Sequence, residues 1–77
     1  MIYRIYVNFK EGILDPEAEA IKKTIHNMGF KSLKSLTKGK FFDMEVSDSK
    51  NSLNEIEKIS RDLLSNPVVE NFKIIKK

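Results

Sequence analysis

The sequence contains no cysteine, and this absence removes several chemistries at once. Thiol catalysis, thiolate metal sites and a secreted disulfide framework all depend on cysteine. No apolar run approaches the roughly 18–20 residues that a membrane span needs, and the first residues have the pattern of a strand rather than of a signal peptide. We therefore expect a cytoplasmic protein.

Glycine and histidine are also scarce. The three glycines lie far apart, so no glycine-rich loop is present to cradle a phosphate. The single histidine, His26, falls off the apolar stripe of its predicted helix and lacks a group to orient it as a catalytic base. Asp43 and Glu45 share one face of a predicted strand, but no third ligand accompanies them. We expect neither a catalytic residue nor a metal site.

The length of 77 residues allows one small domain, spanning residues 1–77. Such a chain buries only about 60–65% of its unfolded surface, and its core contributes about 3–5 kcal/mol. Self-association or docking onto a larger partner is therefore expected. The net charge of +3 is spread along the chain rather than gathered into a stripe, so neither nucleic acid nor a membrane is an expected partner.

Hydrophobic periodicity predicts the element order β-α-β-β-α-β. Strict alternation predicts a strand over residues 2–9 that turns Tyr3, Ile5, Val7 and Phe9 to the core. Asp15 as N-cap, Pro16 as first helical residue and Gly29 as C-terminal cap predict a helix over residues 15–29. The remaining predictions are a bulged strand at 31–38, a turn at 38–40, a strand at 41–47, a helix at 49–65 that Asn66 and Pro67 end, and a strand at 68–76.

In about 75 residues this order predicts an α+β, ferredoxin-like fold: a four-stranded antiparallel sheet with two helices on one face. The first helix carries a stripe predicted to pack in the core, namely Ala18, Ile21, Ile25 and Met28. The opposite face of the sheet is expected to expose more apolar surface than a monomer normally does. We interpret that face as the surface through which copies associate, with the candidates Ile2, Tyr6, Phe41 and either Val69 or Ile75.

Two other function classes share this topology. Ile5-Tyr6-Val7-Asn8 and Lys38-Gly39-Lys40-Phe41-Phe42 resemble the two strand motifs of an RNA-recognition module. Lys40 replaces the middle stacking aromatic, however, and the acidic Asp43 and Glu45 would repel an RNA backbone. An RNA-binding module is therefore the weaker alternative. The stronger is a small-ligand-binding regulatory module, because such domains also dimerise through their sheets.

Four stretches of the chain resemble the PurS family, the small accessory subunit of phosphoribosylformylglycinamidine (FGAM) synthase. They are, in order, Lys10-Glu11-Gly12-Ile13-Leu14-Asp15-Pro16, then Met28-Gly29-Phe30, then Lys38-Gly39-Lys40, and finally Leu63-Leu64-Ser65-Asn66-Pro67-Val68-Val69-Glu70. Two departures from the family pattern stand out: Glu17-Ala18 replaces Gln-Gly, and Thr37 replaces an arginine. The second removes a guanidinium, so a phosphate or partner contact made by that arginine in relatives is not carried over.

The resemblance implies a non-catalytic role in a complex that converts formylglycinamide ribonucleotide to formylglycinamidine ribonucleotide. The complex uses ATP, Mg²⁺ and glutamine, and this chain would bind no cofactor itself. Its implied partners are a synthetase (PurL-type) subunit, a glutaminase (PurQ-type) subunit and further copies of itself, as a homodimer or homotetramer. Between the first two it would support ammonia transfer.

The resemblance also sorts the signature residues into two groups. We expect the loop residues to face the synthetase: Lys10, Gly12, Leu14, Lys38, Gly39 and Lys40. We expect the others to act in the fold: Asp15, Pro16, Gly29, Asn66 and Pro67.

Overall fold

The structure, a computed structural model, describes residues 1–47 and 51–77. Its elements are, in chain order, strand β1 (Ile2–Phe9), helix α1 (Pro16–Asn27), strand β2 (Gly39–Glu45), helix α2 (Ser52–Ile59) with a π-helical turn (Ser60–Leu64), and strand β3 (Glu70–Lys76). Residue 49, where the second helix was predicted to begin, lies outside the described residues.

The three strands form one antiparallel sheet with β1 in the centre and the order β2-β1-β3. Ile5 marks the middle of both ladders, because it lies opposite Phe42 of β2 and opposite Ile74 of β3. The small α+β class is thus confirmed. The four-stranded sheet is not, because the part of the chain that the structure describes supplies three strands to it.

The core lies between α2 and the inner face of the sheet. Its buried centre consists of Tyr3, Ile5 and Val7 from β1 and Ile56 from α2. Half-buried apolar residues of the other elements surround this centre: Phe42, Met44, Val46, Leu64, Phe72 and Ile74. The alternation predicted for β1 and β2 therefore matches the inner and outer faces of the sheet.

Helix α1 and the segment that follows it form an arm that extends away from the core. We call residues 31–38 the return segment, and α1 together with the return segment the arm. The molecule is 52 Å long, whereas an eight-residue strand spans only about 27 Å. The return segment, predicted as the second strand, forms no strand, and it runs back along α1 instead.

The apolar stripe of α1 does not join the core, so that prediction is wrong for the single chain. Ala18 is buried, but Ile21 is 40% exposed and Met28 is 68% exposed. None of the stripe belongs to the buried cluster around Ile5. The periodicity of apolar residues shows which side of α1 must be buried, but it does not show which surface buries it. In the structure the return segment binds to α1, and the helix lies beside that segment rather than over the sheet.

Two contacts tie the return segment to α1. The Nε2 atom of His26 lies 2.7 Å from the carbonyl oxygen of Leu33, and since a carbonyl only accepts, Nε2 carries the proton and donates. At the other end, the Lys38 ammonium lies 3.3 Å from both the Asp15 and the Glu17 carboxylates. The arm is therefore fastened at its tip and at its base.

Local signals set both ends of α1. Asp15 Oδ1 accepts hydrogen bonds from the backbone N–H groups of Glu17 (3.0 Å) and Ala18 (3.3 Å), and Pro16 follows it as the first helical residue. At the far end Gly29 has φ +103°, in the left-handed region that glycine tolerates best. A helix bounded at both ends by such caps keeps its limits without tertiary packing.

Candidate partner-binding cleft

A cleft of about 590 Å³ opens at the base of the arm. Its walls are the loop of residues 10–15, the first turn of α1, residues 36–38 and the end of β1. Residues that are about 25 positions apart in the sequence thus meet around one opening. It is larger than the neighbouring cleft that is described below.

The loop of residues 10–15 is held in place by backbone bonds at its start. Lys10 N–H donates to the carbonyl of Val69 at 2.8 Å, and Ile13 N–H donates back to the carbonyl of Lys10 at 3.1 Å. Gly12 has φ +86°, which completes this tight turn. The turn leaves Leu14 68% exposed at the lip of the cleft.

One lysine and two carboxylates meet on the inner wall of the cleft. Lys38 bridges Asp15 and Glu17, and contact with the Asp15 carboxylate raises the lysine pKa. Burial alone would raise the pKa of Asp15, but the N–H of Ala18 and the Lys38 ammonium together outweigh it, so the pKa lies below its usual range. At neutral pH the Lys38 ammonium is therefore shared between two carboxylates.

The start of α1 is not available to an anion. Asp15 already accepts from the N–H groups of Glu17 and Ala18, and Pro16 has no N–H to offer. A phosphate would have to displace a carboxylate from this position. The cleft therefore suits the side chains of another protein better than a nucleotide.

The structure brings four of the six predicted interface residues to this cleft: Lys10, Gly12, Leu14 and Lys38. The other two, Gly39 and Lys40, line a neighbouring cleft of about 160 Å³, to which Lys38 also contributes. The two clefts share a wall, so all six residues lie along one side of the molecule. Their contact with a partner stays a prediction.

Gly39 plays a different structural part from the one that the sequence suggested. It was expected in a turn with an unusual φ, but it is the first residue of β2, and the positive-φ glycines are Gly12 and Gly29. A Cβ at Gly39 would lie 2.7 Å from the carbonyl oxygen of Val7. The absence of a side chain there permits close approach to β1.

The outer face of the sheet carries the three residues predicted for self-association, which are Ile2, Tyr6 and Phe41. Phe41 is 53% exposed and Ile2 is 38% exposed. The rings of Tyr6 and Phe41 lie with their centroids 5.9 Å apart. Ile75, one of the two further candidates, shares this face and is 39% exposed, whereas Val69 lies in the turn before β3.

The sequence reasoning missed an ion pair at the centre of this face. The Arg4 Nε and Nη2 atoms donate to the two carboxylate oxygens of Asp43 at 2.8 and 2.9 Å. The guanidinium also lies 4.1 Å from the centroid of the Phe41 ring. These hydrogen bonds from Arg4 lower the pKa of Asp43. Alternation along each strand puts both residues on this face, but only the strand register sets them opposite each other.

The last signature stretch folds into a tight turn before β3. The Asn66 side chain accepts from the Val68 N–H at 3.1 Å, and the Asn66 N–H donates to the Glu70 carboxylate at 2.7 Å. Pro67 follows the end of the π-helical turn. Val68, predicted to belong to the closing strand, lies in this turn and is 76% exposed, so that prediction is wrong.

Two kinds of feature are absent from the described residues. No group of three or more potential ligand side chains that could hold a metal ion occurs there. None of the helices in residues 1–47 and 51–77 is long and apolar enough to cross a membrane. His26, the lone histidine, is engaged with the Leu33 carbonyl at the tip of the arm.

Comparison with known proteins gives a consistent result. A family model described as PurS, Phosphoribosylformylglycinamidine (FGAM) synthase, matches residues 2–77. The phosphoribosylformylglycinamidine synthase subunit PurS of Archaeoglobus fulgidus is 36% identical, with the match covering 97% of this chain and 96% of the relative.

Solved structures extend the similarity to three dimensions. PurS of Bacillus subtilis in a C2 crystal form superposes with a TM-score of 0.87 at 25% identity, covering 96% of this chain and 94% of that one. A chain of PurLQS from Thermotoga maritima gives a TM-score of 0.77 at 22% identity, covering 100% and 99% of the two chains. Coverage of this extent includes the arm as well as the sheet.

Proposed function

This chain belongs to the PurS family, and from that premise we propose that it serves as the accessory subunit of an FGAM synthase in purine biosynthesis. In this role it docks a synthetase subunit and a glutaminase subunit and supports the transfer of ammonia between them. All 77 residues act as one domain, in the cytoplasm. The catalytic residues, ATP, Mg²⁺ and glutamine belong to the other subunits.

The observation that carries this proposal is the gathering of the family-like loops around one side of the molecule. Lys10, Gly12 and Leu14 come from the first loop, and Lys38 comes from the end of the return segment. Nothing in the packing of the core requires Leu14 to stand 68% exposed beside Lys38. An apolar side chain ringed by charged ones is typical of a protein-binding surface.

Other observations favour docking over catalysis. Lys38 on the cleft wall is paired with Asp15 and Glu17, and the N-terminus of α1 is occupied by Asp15. A catalytic base or a phosphate site would need such groups free. The similarity to a chain of PurLQS from Thermotoga maritima supports assembly with the two larger subunits.

We assign self-association to the outer face of the sheet, as a homodimer or homotetramer. Ile2, Tyr6 and Phe41 form an apolar surface there, and Arg4 fixes the position of the Phe41 ring. Exposed aromatic rings beside an arginine are enriched at the centres of protein interfaces.

Reconstitution tests the proposed function directly. Synthetase and glutaminase subunits from the same source are assayed with and without this chain, with glutamine or free ammonium as the nitrogen donor. A coupling subunit is expected to raise the glutamine-dependent rate alone. If neither rate changes, the proposal is wrong.

A charge reversal tests the docking surface. We expect Lys40→Glu to weaken binding to the synthetase, while the far-ultraviolet circular dichroism stays that of the parent chain. Lys73→Glu is the matched control, because it reverses an exposed lysine on the other edge strand. If both variants bind like the parent, Lys40 does not contact the synthetase.

A further inference from the structure

The cleft at the base of the arm has a substantial apolar lining. Ala18 is buried, and Phe9 and Leu36 are half-buried, so the fold already holds these side chains in place. Ile13 (40% exposed) and Leu14 (68% exposed) complete the apolar part of the lining. The volume of about 590 Å³ falls within the range of pockets that enclose a whole ligand, about 300–1,000 Å³. The cleft therefore has room for more than one side chain of a bound segment.

The charged part of the lining is acidic, although the chain as a whole carries a net charge of +3. The charged residues that line the cleft are three acids and two lysines, namely Glu11, Asp15, Glu19, Lys10 and Lys38. Lys38 is already shared between two carboxylates. In the part of the chain that the structure describes, neither Glu11 nor Glu19 takes part in an ion pair. Two carboxylates are thus without a paired cation, against the single ammonium of Lys10.

An apolar lining with unpaired carboxylates matches the two parts of an arginine side chain. The aliphatic stem of arginine packs on apolar surface while the charged end stays near water. Its guanidinium is more weakly hydrated than an ammonium and binds a carboxylate through two parallel hydrogen bonds. A phosphate or an acidic segment, by contrast, would be repelled by Glu11 and Glu19 and would find the N-terminus of α1 occupied by Asp15.

The two unpaired carboxylates lie on backbone that is already ordered. Glu11 belongs to the tight turn that the hydrogen bond from the Ile13 N–H to the Lys10 carbonyl closes at 3.1 Å. Glu19 lies in the first turn of α1, where its N–H donates to the Asp15 carbonyl at 3.0 Å. Because the backbone is fixed before a partner arrives, little conformational freedom is lost when the carboxylates bind a cation.

We propose that this cleft binds a segment of the synthetase subunit that carries an arginine beside a bulky apolar residue. The apolar residue packs against Leu14 and Leu36, and the arginine pairs with Glu11 and Glu19. Arginine and large apolar side chains of this kind are typical anchors at the centre of a protein interface. The inference rests on the proposed docking function and adds to it the chemistry of the surface that the partner presents.

Neutralising the two carboxylates tests the charge of the partner. We expect Glu11→Gln/Glu19→Gln to raise the dissociation constant for the synthetase about tenfold at low salt, measured by isothermal titration calorimetry. The difference should shrink between about 50 and 500 mM salt, because salt screens charges at the rim of an interface. Glu55→Gln/Glu57→Gln is the matched control: it changes the net charge equally, at exposed positions of α2 outside both clefts, and is expected to bind like the parent.

Reversal of a charge tests the sign, and a serine tests the apolar lining. Glu19→Lys should weaken binding more than Glu19→Gln does, because it adds repulsion of a basic segment, whereas Glu57→Lys should have no such effect. Leu14→Ser is expected to raise the dissociation constant about tenfold. Its control is Leu63→Ser, at a more exposed apolar site outside the cleft.

Arginine-specific labelling identifies the segment itself. The synthetase is treated with phenylglyoxal alone, with a saturating amount of the parent chain, or with a saturating amount of Glu11→Gln/Glu19→Gln. The modified peptides are then mapped by mass spectrometry. We expect one arginine of the synthetase to be protected by the parent chain and to become reactive again in the complex with the double variant.

The outcomes separate this inference from the proposed function. If the parent chain does not bind the synthetase, the proposed function fails and this inference fails with it. If the parent binds and raises the glutamine-dependent rate, but Glu11→Gln/Glu19→Gln and Glu19→Lys bind equally well, only this inference is wrong. It is also wrong if these variants weaken binding to the glutaminase alone, or if they change only the mass of the free chain in light scattering.

Discussion

Arg4 and Asp43 show what a single pair contributes on an exposed sheet face. Their side chains keep 24% and 40% of their surface exposed, so water screens the attraction between them. The two parallel hydrogen bonds nevertheless fix the guanidinium plane, and that plane lies 4.1 Å from the Phe41 ring. The pair therefore places a positive charge over the face of an exposed aromatic ring.

The lowered pKa of Asp43 makes the contribution of this pair dependent on pH. Because the folded pKa lies below that of an unfolded aspartate, about 3.9, the stabilisation is complete above that value and is lost as the pH falls through the folded pKa. We expect Asp43→Asn to be less stable than the parent at pH 7 and the difference to shrink below about pH 4.

Urea unfolding at pH 7 and at pH 2.5 measures both differences. Glu45→Gln is the control, because it removes a neighbouring carboxylate outside the ion pair. Equal stability of Asp43→Asn and the parent at pH 7 would show that the ion pair between Arg4 and Asp43 does not stabilise the fold.

At the scale of elements, β1 has the bounds predicted from sequence, and the ends of α1 lie within two residues of those predicted. The limits of α1 follow from short-range chemistry: Asp15 and Pro16 at one end and Gly29 at the other. The Gly29 N–H donates to the His26 carbonyl at 3.0 Å and the Phe30 N–H to the Ile25 carbonyl at 3.3 Å, which closes the last turn. Such signals are readable because they need no distant residue.

Gly29→Ala tests the left-handed cap. Gly29 has φ +103°, and a Cβ added there would meet no atom within 4 Å, so the cost is one of backbone conformation alone. We expect a loss of about 1 kcal/mol, seen in urea unfolding and as faster amide exchange in α1. Asn27→Ala, at an exposed position in the last turn of the same helix, is expected to change stability by less than about 0.5 kcal/mol. An equal loss of stability in both variants would show that the loss does not come from the left-handed conformation of Gly29.

The return segment was the part least well predicted. Leu33 and Leu36 are three residues apart, a spacing that does not fit one face of a regular strand. The structure leaves both half-buried, and the Leu33 carbonyl accepts from His26 of α1. The spacing of apolar residues shows that one side of a segment must be buried. Which surface buries it depends on the tertiary structure. The same limit explains the stripe of α1.

The π-helical turn after α2 was also beyond sequence reasoning. The Ser60 hydroxyl donates to the Ile56 carbonyl and the Ser65 hydroxyl to the Ser60 carbonyl, both at 2.7 Å. These buried bonds widen the last turn, yet two serines in a helical pattern give no signal for it.

At the scale of the whole molecule, the chain is extended for its length. The radius of gyration is 16.1 Å, whereas a compact domain of this size has about 11.5 Å. The buried apolar core is correspondingly small, with Tyr3, Ile5, Val7 and Ile56 at its centre. The short length of the chain predicted that it associates with other copies or a partner. Only the structure shows which apolar surfaces remain exposed.

Stability should therefore depend on protein concentration. We expect the melting temperature, followed by circular dichroism, to rise by several degrees between about 1 and 100 µM, because association binds only the folded chain. Phe41→Ser removes apolar surface from the outer face of the sheet and is expected to reduce this dependence, whereas Leu63→Ser, at an exposed site on the π-helical turn, is its control. A melting temperature that is constant over this range would show that the single chain is stable alone.

The central position of β1 has a consequence for synthesis. Of the three strands, β1 leaves the ribosome first, before the two strands with which it pairs. One of these, β3, follows some 60 residues later. Most pairings in this sheet are thus distant in sequence, which slows folding compared with a helical bundle of the same length. Until Glu70–Lys76 emerge, Tyr3, Ile5 and Val7 have an incomplete sheet to pack in, and the nascent chain in that interval has an open strand edge to be shielded from its neighbours on the polysome.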